Sequence, residues 1–129
     1  MNTDRSSTPP APFDAAEGLK ARLRADLLAA MRAKATVEVA VLRALVAALD
    51  NAQAVPLAPG HQRYVEHRFG DRSAEVPRLA VSGVEVADLL DRERRDRLAA
   101  AAEFAALGQS ERAARLSAEA DIVARYLAD

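Results

Sequence analysis

The sequence predicts an all-α domain: four main helices paired as two antiparallel hairpins, with an irregular insert between the second and third. Three observations carry this. Of the 129 residues 31 are alanine, aromatics are only 4%, and there is no Trp. Small apolar side chains suit close helix packing, whereas a β-sandwich needs β-branched and aromatic residues on its inner faces. Apolar residues recur at helical spacing in four blocks. Capping residues and a glycine stand where those blocks begin and end.

Composition also bounds function. With no Cys, disulfides, thiolate metal sites and a cysteine nucleophile are all excluded, which fits a reducing compartment and a cytoplasmic location. The formal net charge is −1, so no global field announces a nucleic-acid or membrane partner. No apolar run approaches the roughly 18 residues of a membrane span, and no secretory signal opens the chain.

Residues 1–13 hold three Pro and several Ser and Thr with little to bury, and read as a disordered leader. One acidic residue and a single Arg argue against a transit peptide. Asp14 is a good N-cap, with Glu17 placed to close a capping box. Leu19, Leu23, Leu27 and Met31 then form an i, i+4 stripe, predicting a helix over about 14–34. Lys34 closes it, where a cation complements the helix dipole. Thr36 is the expected cap of the next helix, which runs to about Gln53. Between Val39 and Leu49 its only charge is Arg43, and Val41, Leu42, Leu45, Val46 and Leu49 cover more than half its circumference. A helix this apolar is central, and it leaves room for a homo-oligomer contact.

Residues 54–81 break the period. They hold half the prolines, both His, Gly60, Gly70, Tyr64 and Phe69. The insert is expected to pack on the outside through Tyr64, Phe69 and Val76, or not at all. Val76-Pro77-Arg78-Leu79 reads as extended, because a residue before proline avoids the α region. Ser82 with Glu85 forms a second capping box, and Gly108 stands where a C-terminal glycine cap belongs. The helix between them is followed by a short link and a last helix with Leu116, Ala120, Val123 and Leu127 along one seam. That pair is an αα-hairpin; the first two helices make another.

In the third helix Val86, Leu90, Arg97 and Phe104 share a narrow arc at 100° per residue, and Glu93 falls inside it. Glu93 and Arg97 are therefore expected to form an intrahelical ion pair on the packing face, partly covered by the first two helices. Around them Asp88–Arg97 carries four Arg and four acids. A solvated, salt-bridged helix is the ordinary reading; an RNA-contacting one would want an excess of basic charge. The first helix is more basic, with Lys20, Arg22, Arg24, Arg32 and Lys34 against Asp14, Glu17 and Asp26. Arg22 and Arg32 oppose its apolar stripe, while Lys20, Arg24 and Lys34 flank or overlap it as snorkelling side chains.

His61 and His67, with Glu66 and Asp71 nearby, invite a metal reading, but H-x5-H matches no common zinc spacing and no Cys helps. No metal and no cofactor is expected. There is no G-x-S-x-G, no glycine-rich phosphate loop and no paired carboxylate in a recognisable pocket sequence, so no catalytic residue is assigned.

Two ordered sets of residues resemble the GatB/YqeY family. Its members open with a helix of the type L-x-x-x-L-x-x-D-x-x-x-A-M-x-x-K and a second ending L-x-N-A. Leu19, Leu23, Asp26, Ala30, Met31, Lys34, Leu42, Arg43, Leu49, Asn51 and Ala52 fall on that pattern. In residues 84–127, Glu93, Arg97, Glu103, Phe104, Gly108, Arg112, Glu119, Tyr126 and Leu127 resemble the continuation. Phe69, Gly70, Ser73, Ala74, Glu75 and Val76 are similar to the longer insert of some branches. The resemblance covers about 80 of the 129 residues. It implies kinship with the helical tail of the B subunit of glutamyl/aspartyl-tRNA amidotransferase, a carbon–nitrogen ligase with glutamine as amido donor. There the tail contacts tRNA while the chemistry lies elsewhere. The second small C-terminal domain of such relatives is expected to be lacking here.

The resulting expectation is a non-catalytic helical accessory module that binds tRNA or an amidotransferase partner. Its phosphate contacts would come from Arg22, Arg32, Arg94 and Arg95. The alternative is a protein-interaction or oligomerisation module with no nucleic-acid role. Replacing residues 57–75 by a short Gly/Ser linker is expected to leave the helical circular dichroism nearly intact, since loop closure depends weakly on length. Loss of the helical signal would instead place the insert in the core.

Overall fold

In a computed structural model of the chain, residues 14–54 and 78–127 are described. The expected leader 1–13 and most of the insert, with His61, Tyr64, His67, Phe69 and Val76, lie outside the described residues. Four helices follow one another: α1 (Ala15–Arg32), α2 (Thr36–Gln53), α3 (Gly83–Ala106) and α4 (Ser110–Leu127). The fold is all-α. α1 packs chiefly on α2 and α3 on α4, as two hairpins.

Both hairpins turn through the same device. After α3, Gly108 adopts φ 76°, its amide reaches the Ala105 carbonyl at 3.0 Å, and the Gln109 amide reaches Phe104 at 2.8 Å. This is a Schellman closure, and the glycine is where the left-handed residue must sit. After α1 the pattern recurs, with Ala35 N to Ala30 O at 2.9 Å and Lys34 N to Met31 O at 3.1 Å. Here the left-handed position, φ 57°, is held by Lys34. Lys34 thus lies just past the end of α1 instead of closing its last turn. A non-glycine residue accepts this conformation at a cost of about 1 kcal/mol, so the tight turn is imposed by the packing of α1 on α2.

Three of the expected caps differ in their chemistry. Ser82 and Glu85 do form the reciprocal box, at 3.1 and 2.9 Å. Asp14 caps α1 through Ala16 N at 3.1 Å, but the Glu17 side chain turns away toward α2, so no box closes. Thr36 is the first residue of α2, and its N-cap is Ala35 with no side-chain bond.

The core is built from Leu23 and Ala30 of α1, Val41, Leu42, Leu45 and Leu49 of α2, Val86 and Leu90 of α3, and Ile122, Val123 and Tyr126 of α4. The i, i+4 stripe of α1 advances 40° at each step on a 100° wheel. The ends of the stripe therefore leave the buried face: Leu19 only edges the core and Met31 is 46% exposed, while Leu27 is partly buried. The centre of the buried face falls on Ala16, Lys20, Leu23 and Ala30. α2 is the central helix and touches all three others.

The described ends of the insert are tighter than the sequence indicated. Ala54 and Arg78 form an antiparallel bridge, Leu79 N donates to Gln53 O at 2.8 Å, and Val81 is buried. Ala15 N donates to Val81 O at 2.8 Å, so the stretch before α3 is pinned to the start of α1. From Leu90, α3 runs on to Ala106, about 24 Å at 1.5 Å per residue. Along that length Ala101 is buried outside the main core cluster.

Leu45→Ala is expected to cost about 2–5 kcal/mol in denaturant unfolding, since it empties a fully buried site. Leu28→Ala, at a side chain 50% exposed, should stay within about 0.5 kcal/mol. Equal losses would mean that α2 is not the centre of the bundle.

Candidate functional site

The most unusual side chain in the bundle is Lys20, which is 1% exposed. It lies in the middle of the apolar face of α1, so its ammonium needs counter-charge nearby. Asp50 at the end of α2 supplies it at 2.7 Å, and Glu17 one turn earlier on α1 at 3.1 Å. Both carboxylates are about half exposed and stay partly hydrated, which lowers the cost of pairing with a dry cation.

Gln53, 2% exposed, extends this cluster. Its Nε2 donates to Asp14 Oδ2 at 2.9 Å and to Glu17 Oε2 at 2.7 Å. Two carboxylates on one side fix the orientation of the amide, because reversing it would set oxygen against oxygen. Gln53 Oε1, buried, has no hydrogen-bond partner among the described residues. Asp14 Oδ1 also accepts from Val81 N at 3.2 Å, and Arg78 reaches Glu17 at 3.0 Å. Seven residues thus tie the start of α1, the end of α2 and the approach to α3.

The carboxylates respond accordingly. Burial acts to raise the Asp14 pKa, but hydrogen bonds from Gln53 and from the Val81, Ala16 and Glu17 amides hold it below its ordinary value. The Gln53 amide, then the Lys20 ammonium, holds the Glu17 carboxyl low, and Lys20 does the same for Asp50.

At the other end of α4, Tyr126 is buried and its hydroxyl donates to Asp26 of α1 at 2.6 Å. Burial, reinforced by Asp26, pushes its pKa up, so the phenol stays protonated. The Arg22 guanidinium lies over the Tyr126 ring at 4.9 Å. A shallow cleft of about 350 Å³ opens beside it between α1, α3 and α4, with Leu19, Val86, Leu90 and Leu127 in its walls. Among its lining residues only Arg22 and Tyr126 have polar side chains.

The residues singled out in the sequence separate into three places. Glu93 and Arg97 lie 2.7 Å apart and are largely covered. Their third partner is Glu119 of α4, 3.2 Å from Arg97, where the first two helices were expected to provide the cover. Arg94 and Arg95 both turn back to Asp91, at 3.1 and 2.7 Å, and together they hold its carboxyl low. Arg22 is engaged by Tyr126, and Arg32 is exposed at the end of α1. The structure does not bring the four proposed phosphate contacts into one cluster of direct contacts.

The acids of the α1–α2 hairpin give a clearer signal. All five are engaged: Asp14 and Glu17 by Gln53, Asp50 by Lys20, Asp26 by Tyr126, and Glu38 by Arg125 of α4 at 3.0 Å. Arg32, Lys34 and Arg43 are exposed and make no ion pair among the described residues. Among the described residues no group of three metal-ligating side chains occurs, and no helix is long and apolar enough to cross a membrane.

No family model, curated protein or solved structure matches this chain. The GatB/YqeY resemblance rests on the residues that carry it in the sequence.

Lys20→Met keeps the aliphatic stem and discards the charge, whereas Lys20→Ala leaves a hole as well. The Ala variant is expected to lose about 2–4 kcal/mol and the Met variant about 1 kcal/mol, read from urea midpoints at neutral pH. An Ala variant no worse than Met would show that the stem is not packed.

Proposed function

We propose that this chain is a non-catalytic helical accessory module that binds tRNA through its phosphates, as the GatB/YqeY resemblance implies for the amidotransferase tail. One observation supports the reading most. Every acid of the α1–α2 hairpin is engaged, which leaves Arg32, Lys34 and Arg43 on its exposed surface without counter-ions among the described residues. Phosphate contacts need cations that are not already neutralised. By the same criterion Arg94 and Arg95, clipped to Asp91, and Arg22, stacked on Tyr126, are weaker contributors than Arg32. Such a module works in the cytoplasm, alone or beside an amidotransferase subunit that carries the chemistry.

A second reading, a protein-interaction or oligomerisation module, is favoured by Leu28 and Met31, each about half exposed on α1. Light scattering after size exclusion, with and without bulk tRNA, separates the two readings.

Binding through few phosphates is weak, indifferent to tRNA sequence and salt-dependent. The slope of log K against log salt is expected to be about −0.7 to −0.9 per phosphate contacted. Arg32→Glu with Arg43→Glu should abolish a low-salt mobility shift of tRNA and leave the circular dichroism unchanged. Unshifted tRNA at micromolar protein and low salt removes the tRNA reading in favour of the second.

A further inference from the structure

We propose that Asp14, Glu17 and Asp50, set around the buried Lys20, form a proton-operated latch. When they take up protons, the joint between α1, α2 and residues 78–81 opens while the α3–α4 hairpin stays folded.

The latch follows from which charges are buried and which can change. Lys20 is almost dry, and its counter-ions are Asp50 at 2.7 Å and Glu17 at 3.1 Å. Protonating these two acids removes both negative charges and leaves an ammonium stranded in the apolar face of α1. A stranded buried cation must hydrate, and hydration here means separating α1 from the end of α2. The same protons weaken the bridge through Gln53, whose Nε2 is held by Asp14 and Glu17. With it goes the hold on residues 78–81, which depend on Asp14 Oδ1 to Val81 N, Arg78 to Glu17, Ala15 N to Val81 O and Leu79 N to Gln53 O.

Among the described residues the charged groups facing the cluster are few. α1 supplies Asp14, Glu17, Lys20 and, through its field on Asp50, Arg24; α2 supplies Asp50; the approach to α3 supplies Arg78. Glu85, in the first turn of α3, is turned to the Ser82 cap. All three acids have their pKa held below the ordinary carboxylate value. The stability they confer is therefore complete above the ordinary value and lost as pH falls through the depressed one. The window lies below about pH 4. The α3–α4 hairpin also holds a largely covered cation, Arg97 on Glu93 and Glu119. Arg97, however, keeps the Glu93 backbone carbonyl, 3.0 Å away, as a partner that does not titrate. The seam, with buried Ala101 and Ala120 and the Gly108 turn, does not contain Lys20.

Amide hydrogen exchange on the full chain, corrected for intrinsic rates, tests the latch. Ala15, Leu79 and Val81 report the joint, and Ala101 and Ala120 report the α3–α4 seam. Between about pH 6 and about pH 3.5, protection at the first three should fall by about tenfold or more while the last two hold. Glu17→Gln with Asp50→Asn should show that loss already at about pH 6, because it strands the same cation. Lys20→Met should open clearly less than the wild type at about pH 3.5, since no buried charge remains to hydrate and only the Gln53 bridge is weakened. The proposal is overturned if all five amides lose protection together, or if Lys20→Met opens as the wild type does.

Discussion

A lysine ammonium held out of water dictates what must surround it. Lys20 occupies a position on α1 that geometry assigns to the core, between Ala16 and Leu23. Its charge requires acids, and they are Asp50 in the last turn of α2 and Glu17 one turn earlier on α1. Asp50 and Gln53 end an otherwise apolar helix, and through them the start of α1 is locked to the end of α2. The approach to α3 then docks on the same acids, so both ends of the insert leave the bundle at this joint. The apolar core supplies the bulk of the stabilising area, but Lys20 and its partners decide which helix ends meet.

The two hairpins divide the remaining work. The first engages its acids on Gln53, Lys20, Tyr126 and Arg125, and keeps its arginines outward. The second pairs Arg97 with Glu93 and Glu119, and Arg94 and Arg95 with Asp91, and gives Arg125 to Glu38 of the first. A chain of almost neutral net charge thereby carries its charges unevenly, with six basic and five acidic residues over 14–53 and seven basic and nine acidic over 83–127. For the tRNA reading this unevenness matters more than the total charge, because phosphates respond to unpaired cations within a Debye length.

Much of the architecture was legible in the sequence. Ser82 with Glu85 and the glycine at 108 announce a helix whose ends fall where expected, since those signals are local hydrogen-bond chemistry. The breadth of the apolar face on α2 announced its central place. What failed to show were contacts between segments far apart in the chain. Glu17 looked like half of a capping box and became a bridge to Gln53, 36 residues on. Tyr126 read as a family-like chain end and became the partner of Asp26, 100 residues away. Lys20 was visibly on the apolar stripe, but a snorkelling lysine and a buried one have the same local pattern. The available clue was the polar end of α2: Gln53 continues the Leu42–Leu45–Leu49 face and meets Asp14 and Glu17 once the hairpin closes, while Asp50 meets Lys20. Helical rotation placed Arg32 on the exposed side of α1, where it lies, but gave no sign that Arg22 has an aromatic seat.

The chain has only two lysines, Lys20 and Lys34, one buried and one exposed, which makes the central claim directly observable. Heteronuclear NMR of the side-chain amines at neutral pH reads each ammonium separately. The account predicts one slowly exchanging, charged Nζ group from Lys20, with couplings to the Asp50 and Glu17 carboxylates, beside a Lys34 signal broadened by exchange with water. Two amines that exchange equally fast would contradict it, and would place Lys20 in solvent.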